Sequence, residues 1–358
     1  MKEDVRESSR AGRRRAALLV ALLAAILVWS FTGVEFLTHA ETAGPVSRIA
    51  RRASTLHDLQ TGAYRGAAAP VPWPTTAGAS RRALLIGIDG LRADALEAAQ
   101  APVLHALIEH GAYAPDALVR PPDQVTAATS SGPGWSSILT GVWPALHGVL
   151  DNGFQNHRLA EHPAVFEMAR GRWSASLSNW PPVNQLLGHA ASLAPVVEAE
   201  PDSYPLADAA LARSAVTILG TLDPALIFVM FGNVDATGHT HGFRPDGAPY
   251  LDAIAQVDRQ VGVVLEGLRA RPGVAGEDWL VIVTSDHGGQ GAGHGYLENP
   301  PLAVARTVLI VGGPSSRKGL IRQEAALVDV VPTILAHLRI PALPAWHLAG
   351  RPVGLKSN

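Results

Sequence analysis

Three aspartates and three histidines stand in short glycine-containing stretches of an otherwise apolar chain: Asp89 in IGIDGLR, Asp235 and His239 in VDATGH, Asp286 and His287 in SDHGG, and His294 in GHGY. One such Asp says little, because Asp is also common where a strand gives way to a turn or a helix cap. Three of them, two closely followed by His, point to metal chemistry. Carboxylate mixed with neutral imidazole suits Zn²⁺ best, with Mn²⁺ or Fe as further fits and an all-oxygen Mg²⁺ or Ca²⁺ site less apt. The chain has no cysteine, which excludes thiolate ligands and disulfides, so any metal must be held by His, Asp, Glu or hydroxyl oxygen. Gly288, Gly289, Gly291, Gly293 and Gly295 surround the last three candidates and allow the backbone to turn tightly there. His241 is an alternative to His239, although the D-x-x-x-H spacing favours the latter.

The elements that must position these residues can be read from apolar runs. Strands are expected at 83–89, 175–178, 226–231, 279–285 and 308–311, and helices at 93–110 with a restart at Pro102, 205–219, 250–268 and 323–338. Continuous apolar strands separated by helices predict an α/β fold, a doubly wound and mainly parallel sheet with helices on both faces. In such sheets ligands bind beyond the carboxyl ends of the strands, where Asp89, Asp235, Asp286 and His287 fall. With 358 residues, 47% hydrophobic and 17% charged, the chain can bury a large core. A net charge of −2 with no basic run beyond the N-terminus argues against nucleic acid as a bulk partner. No internal repeat is visible.

The N-terminus carries its own signal. A basic tail, residues 1–15, with Arg13, Arg14 and Arg15 at its end, precedes an apolar segment at 16–37. Its length and flanking charge predict a transmembrane signal-anchor with the tail in the cytoplasm and everything beyond it outside; a cleaved signal peptide is the rival. Residues 38–81, rich in Ala, Gly, Pro and Ser, are expected to be a linker, and 82–358 the catalytic domain.

The segments IGIDGLR, SGPGWSSILTGVWPALHGVLDN (Ser131 to Asn152), VDATGHTHG, SDHGG and GHGY resemble, in chain order, the motifs of the type I phosphodiesterase and nucleotide pyrophosphatase family of the alkaline phosphatase superfamily. The resemblance implies two divalent metal ions: one held by Asp89, Ser131, Asp286 and His287, the other by Asp235, His239 and His294. It implies Ser131 as nucleophile, with Ser130, Ser136 and Ser137 as alternatives, and His147 as a structural histidine. A serine hydroxyl is almost wholly protonated at neutral pH and needs a cation beside it to become an effective nucleophile, so the implied activity is hydrolysis of a small-molecule phosphoric ester through a phosphoserine-type intermediate. Two departures qualify the likeness. Trp135 stands where the sulfatases of the superfamily carry an essential Arg. Gly134 stands where the phosphodiesterases carry an Asn that binds a phosphoryl oxygen, which leaves Asn179 or Asn233, with the backbone at Gly132 and Gly134 opening a helix, as candidate substrate-binding groups. Transfer of a phosphorylated head group and a retired metal-binding domain are the competing readings. The sequence does not define the oligomeric state.

Overall fold

A computed structural model describes residues 78–121 and 127–357. These run as β1 (Ser80–Ile88), α1 (Ala93–Ala98), α2 (Pro102–His110), β2 (Ala112–Leu118), α3 (Ser131–Thr140), β3 (Ser174–Ser178), α4 (Tyr204–Thr221), β4 (Leu226–Phe231), α5 (Asn233–His241), α6 (Ala248–Arg269), β5 (Glu277–Thr284), β6 (Arg306–Gly312), β7 (Gly319–Leu320) and α7 (Val330–Leu338), with short helical turns between them. The seven strands form one sheet in the order β3-β4-β1-β5-β6-β2-β7. β1 lies in its interior, parallel to both its neighbours, β4 and β5. The expected doubly wound arrangement holds with one change: β6 runs antiparallel to both its neighbours, β5 and β2.

Why the central strands read as unbroken apolar runs follows from the period-two pleat. Ala83 and Leu85 of β1, Leu226 and Phe228 of β4, and Leu280 and Ile282 of β5 enter one core with Trp135, Ile138 and Leu139 of α3 and Val330, Ile334 and Leu338 of α7. The intervening residues, Leu84, Ile86, Ile227, Val229, Val281 and Val283, are equally buried. On that side α4 packs against β4, α2 against β6, and α6 against both helices. Asp258 of α6 fixes one of these contacts, its carboxylate accepting the N–H groups of Val103 and Leu104 in the first turn of α2, where no intrahelical partner exists.

Two expectations need correction. The last helix begins at Val330 rather than Gln323, because Ala325 and Ala326 run beside β2: Leu118 donates to the Ala325 carbonyl at 2.8 Å and bridges Ala326. Asp329 then closes the turn, accepting from Ala326 N–H at 3.0 Å. The strand β2 was not foreseen from its sequence, AYAPDAL. It carries Pro115 at a register shift between Ala114 and Ala117, the irregular position that lets a proline sit in a strand. The expected transmembrane segment at 16–37 and most of the linker at 38–81 lie outside the described residues; among the described residues no helix is long and apolar enough to cross a membrane.

Candidate functional site

The carboxyl ends of β1, β4 and β5 lie side by side, and each delivers an acid. Asp89 follows β1 directly and its N–H donates to the Phe231 carbonyl at 2.9 Å. Gly90, at φ 69°, turns the chain away from the sheet in the left-handed region that favours glycine. A Cβ there would stand 2.8 Å from Asp235 Oδ1, so the same glycine lets two carboxylates approach. Tyr250 locks the turn by donating to the Gly90 carbonyl. Arg92 points away from the acids and donates to the carbonyls of Phe243 and Gly289 at 2.9 and 3.1 Å, which ties the glycine-rich loop to the end of β1. Asp235 and His239 are four residues apart on α5, hence on one helix face, with Asp235 Oδ2 and His239 Nε2 at 3.4 Å.

α3 enters with Ser131 as its first residue. Ser131 Oγ lies 3.4 Å from Asp89 Oδ1 and 3.2 Å from His287 Nε2. The helix sits this low because position 134 is glycine: a Cβ there would meet Asp286 Cβ and its carbonyl oxygen at 2.8 Å each. One turn on, Trp135 Nε1 donates to Asp89 Oδ2 at 3.0 Å. The indole is wholly buried and packs on Phe228. Of the alternative serines, Ser136 and Ser137 are buried, and Ser137 Oγ pairs with His147 Nε2 at 3.1 Å; neither lines the cavity, nor does Ser130.

The electrostatics call for cations. His239, His287 and His294 each place Nδ1 against a backbone carbonyl, of Ala292, Gly288 and Thr129, at 2.9, 2.9 and 3.0 Å. Since only an N–H makes a favourable contact with a carbonyl, each Nδ1 carries a proton and each ring turns its Nε2 inward, the arrangement of metal-ligating imidazoles. Those nitrogens face carboxylate oxygens. His287 Nε2 is 3.2 Å from Asp286 Oδ2 and 3.5 Å from Asp89 Oδ1. His294 Nε2 is 3.5 Å from Asp235 Oδ1 and 2.9 Å from His239 Nε2. Asp286 Oδ2 and Asp235 Oδ1 are buried and receive no hydrogen bond, a costly state unless something positive sits between them.

Proton affinities tell the same story. Burial, and then the charge of Asp235, pushes Asp286 up to about 8; burial with the charges of Asp286 and Asp235 raises Asp89 well above the usual carboxylate range. Burial holds His287 and His294 down at about 3, so these rings stay neutral. The Asp235 carboxylate draws the partly exposed His239 upward instead. A divalent cation in each cluster would satisfy these groups. The donor atoms fall into two groups, Asp89, Asp286 and His287, and Asp235, His287 and His294, each within 4.8 Å; His239 joins the second through its contacts with Asp235 and His294. The two sets implied by the sequence are thus brought together, with His287 lying between them. His241 is exposed at the end of α5 and makes none of these contacts.

The substrate-binding candidates fall elsewhere. Asn179 is fully buried and donates to Asp208 Oδ1 at 2.7 Å. The Asn233 N–H donates to Asp208 Oδ2 at 3.1 Å, and its side chain faces Gln256 and Thr237. The Gly134 N–H is a helical bond to the Ser130 carbonyl, and the Gly132 N–H is taken by Asn152 Oδ1 at 2.7 Å. The cavity, of about 100 Å³, is bounded instead by Asn152, Trp180, Tyr204, Met230 and Gly232 around Ser131 and the acids. Asn152 closes the quoted TGVWPALHGVLDN stretch, yet no spacing rule flags an asparagine; Tyr204 enters from the start of α4, which carries no motif. Phe154 backs Trp180 at 5.9 Å.

A mixed sheet wrapped by helices, with paired acid and imidazole clusters at its carboxyl edge, defines a protein of the alkaline phosphatase type. The family model described as type I phosphodiesterase / nucleotide pyrophosphatase matches residues 83–192 and 167–299, and the chain belongs to this family. It is 27% identical over 257 residues to ectonucleotide pyrophosphatase/phosphodiesterase family member 1 of Mus musculus, covering 65% of this chain and 27% of that protein; the chain therefore spans about a quarter of the length of that relative. Among solved structures, murine ectonucleotide pyrophosphatase/phosphodiesterase 5 shares the fold with a TM-score of 0.55 at 16% identity, covering 74% of this chain and 96% of that one. A 2-O GAG sulfatase does so with a TM-score of 0.59 at 14% identity, covering 76% and 73%.

Proposed function

We propose that this chain is a metal-dependent hydrolase of small phosphoric esters, with Ser131 as nucleophile. The observation that carries the reading is the place of Ser131 Oγ: on the cavity floor, beside the Asp89, Asp286 and His287 cluster and within the same cavity as Asp235, His239 and His294. Two divalent cations, Zn²⁺ by the donor set, would supply positive charge at the serine oxygen and at the leaving oxygen of the ester. Asp89, Asp286 and His287 would hold the first and Asp235, His239 and His294 the second. Ser131 Oγ then forms a bond to phosphorus as the bond to the ester oxygen breaks, its proton passing to solvent and the leaving alcohol being protonated from solvent. Water cleaves the resulting Ser131 phosphoester, restores the hydroxyl and releases the phosphoryl group. Trp180, Tyr204 and Met230 offer an apolar wall to the organic part of the substrate. The basic and apolar N-terminal sequence supports a membrane-tethered or secreted domain working outside the cytoplasm.

The test is Ser131→Ala assayed with p-nitrophenyl phosphate and bis-p-nitrophenyl phosphate on protein of known metal content. The variant keeps its metal and loses turnover of both esters; turnover equal to the parent protein removes Ser131 from the chemistry.

A further inference from the structure

The two ends of the sheet carry opposite charge. Asp89, Asp235 and Asp286 gather at the carboxyl ends of the strands; cations gather at the amino end, where β1 and β5 begin. Arg81 lies opposite Asp278 in the sheet and donates to the His337 carbonyl, at the end of α7, at 3.2 Å. Arg172 donates to the next carbonyl, of Leu338, at 3.1 Å, and the exposed Arg339 follows it. The loop from β6 to β7 joins this end through Ser315 Oγ, which donates to Asp278 Oδ2. That loop presents Arg317 and Lys318, and the C-terminal segment beside it adds Lys356, whose N–H donates to the Ser315 carbonyl at 2.9 Å. None of these six side chains forms an ion pair among the described residues. The acids beside them are already taken: Glu277 and Asp223 pair with Arg82 and Arg271, and Asp278 is buried against Ser315. Glu109, exposed near the end of α2, offsets at most one of the six. Leu320 stands among the cations, 64% exposed on the outermost strand β7. An apolar side chain amid unpaired cations, on a chain whose net charge is −2, suits an anionic surface with hydrocarbon beneath it. The course of the chain agrees. It enters the described structure at Gly78 and starts β1 at Ser80, at this same end, and the basic tail and apolar segment 16–37 precede it in sequence.

We infer that the amino end of the sheet, with Arg317, Lys318 and Lys356 around Leu320, is a docking surface for the anionic headgroups of a lipid bilayer. The inference rests on the membrane-tethered reading of the N-terminus and not on the phosphoester chemistry. Each cation held within a Debye length of an anionic surface strengthens the contact about fivefold. A tether multiplies so weak a contact by keeping the local concentration of surface high. Docking by this end turns the opposite end, with its carboxylates and its cavity, away from the headgroups. The acids are thereby kept from like charge, and the cavity stays open to soluble esters.

The test incorporates the full-length protein into vesicles of phosphatidylcholine alone, or of phosphatidylcholine with about one third phosphatidylglycerol, and follows amide hydrogen exchange by mass spectrometry. Residues 313–322 and 354–357 are expected to exchange more slowly on the anionic vesicles only, and about 0.5 M salt should restore their rate. The combined variant Arg317→Gln, Lys318→Gln, Lys356→Gln should lose this slowing at an unchanged thermal midpoint. Should it fail to fold, Lys318→Gln alone is read in the same way, a partial loss being expected and full slowing overturning the inference. Residues 231–242 and 285–296, around the cavity, should exchange alike on both vesicles. Equal exchange of 313–322 on the two compositions overturns the inference, as does slowing that survives in the combined variant or that falls on the cavity segments instead. Slowing on phosphatidylcholine alone would assign the surface to a second copy of the chain and overturn it too. A protein that stays with neither kind of vesicle overturns the tether, and this inference with it.

Discussion

Replacing Trp135 with Phe should weaken metal binding although the indole touches no metal-ligating nitrogen. Its Nε1 is the donor to Asp89 Oδ2, at 3.0 Å with both residues buried. A hydrogen bond to a charged acceptor contributes about 1.5 to 3 kcal/mol, and at about 1.36 kcal/mol per decade this predicts roughly 10- to 150-fold weaker binding at the cluster containing Asp89. Loss of the donor also frees the carboxylate to rotate away from Ser131. The substitution removes core volume too, so packing and ligand orientation must be separated. Phe228→Leu provides the comparison: Phe228 packs against the indole, ring centroids 5.7 Å apart, and donates to no carboxylate. Zn²⁺ titration against a competing chelator, with denaturant stability measured on the same samples, decides the matter. Both variants should lose stability, by about 1 to 3 kcal/mol, but only Trp135→Phe should lose affinity. Equal affinities in the two variants would refute the argument that Trp135 holds Asp89 for the metal.

Elsewhere the fold makes its own predictions. His147 is fully buried with Nδ1 accepting from Val149 N–H and Nε2 facing Ser137 Oγ, and burial holds its pKa down to about 3. Its contribution to stability is complete above the ordinary value near 6.5 and is lost as pH falls toward 3, at up to about 1.4 kcal/mol per unit; urea unfolding at pH 7 and 5 should show this slope in the parent and a shallower one in His147→Gln. At the opposite end of β5, Arg271 joins Glu277, Asp223 and the carbonyls of Leu219 and Leu222. Arg271→Met should cost about 3 kcal/mol, the low end for a broken buried pair because Arg82 still pairs with Glu277 at 2.9 Å, and metal content should be unchanged.

How far the site could be read in advance depended on chemistry rather than on length of motif. The candidate metal-ligating residues are legible because few residue types can do the work and strand ends are where an α/β sheet gathers them: Asp89, Asp286 and Asp235 needed only the apolar runs before them. Which polar groups border the cavity was not legible, because an amide or backbone N–H reaches the cavity or a neighbour according to packing. Asn179 and Asn233 are drawn to Asp208, a buried carboxylate that also accepts Gly232 N–H at 3.0 Å and that no motif marked. Asn152 lies twenty-one residues beyond Ser131 and meets it only through the fold. Similarly the direction of β6 is set by which neighbour it joins, which its apolar run cannot encode, and β2 is hidden by Pro115. The segment 323–338 is helix-compatible throughout, but its first part serves the edge of β2 instead.

The central claim is that two carboxylate and imidazole clusters share one cavity and each holds a cation. Metal analysis of the protein after loading with Zn²⁺ and exhaustive dialysis tests it most directly, with Asp89→Asn and Asp235→Asn treated alongside. Two metal ions per chain in the parent and one in each variant is the predicted result. A parent protein that retains none, or variants that retain as much as the parent, would contradict it.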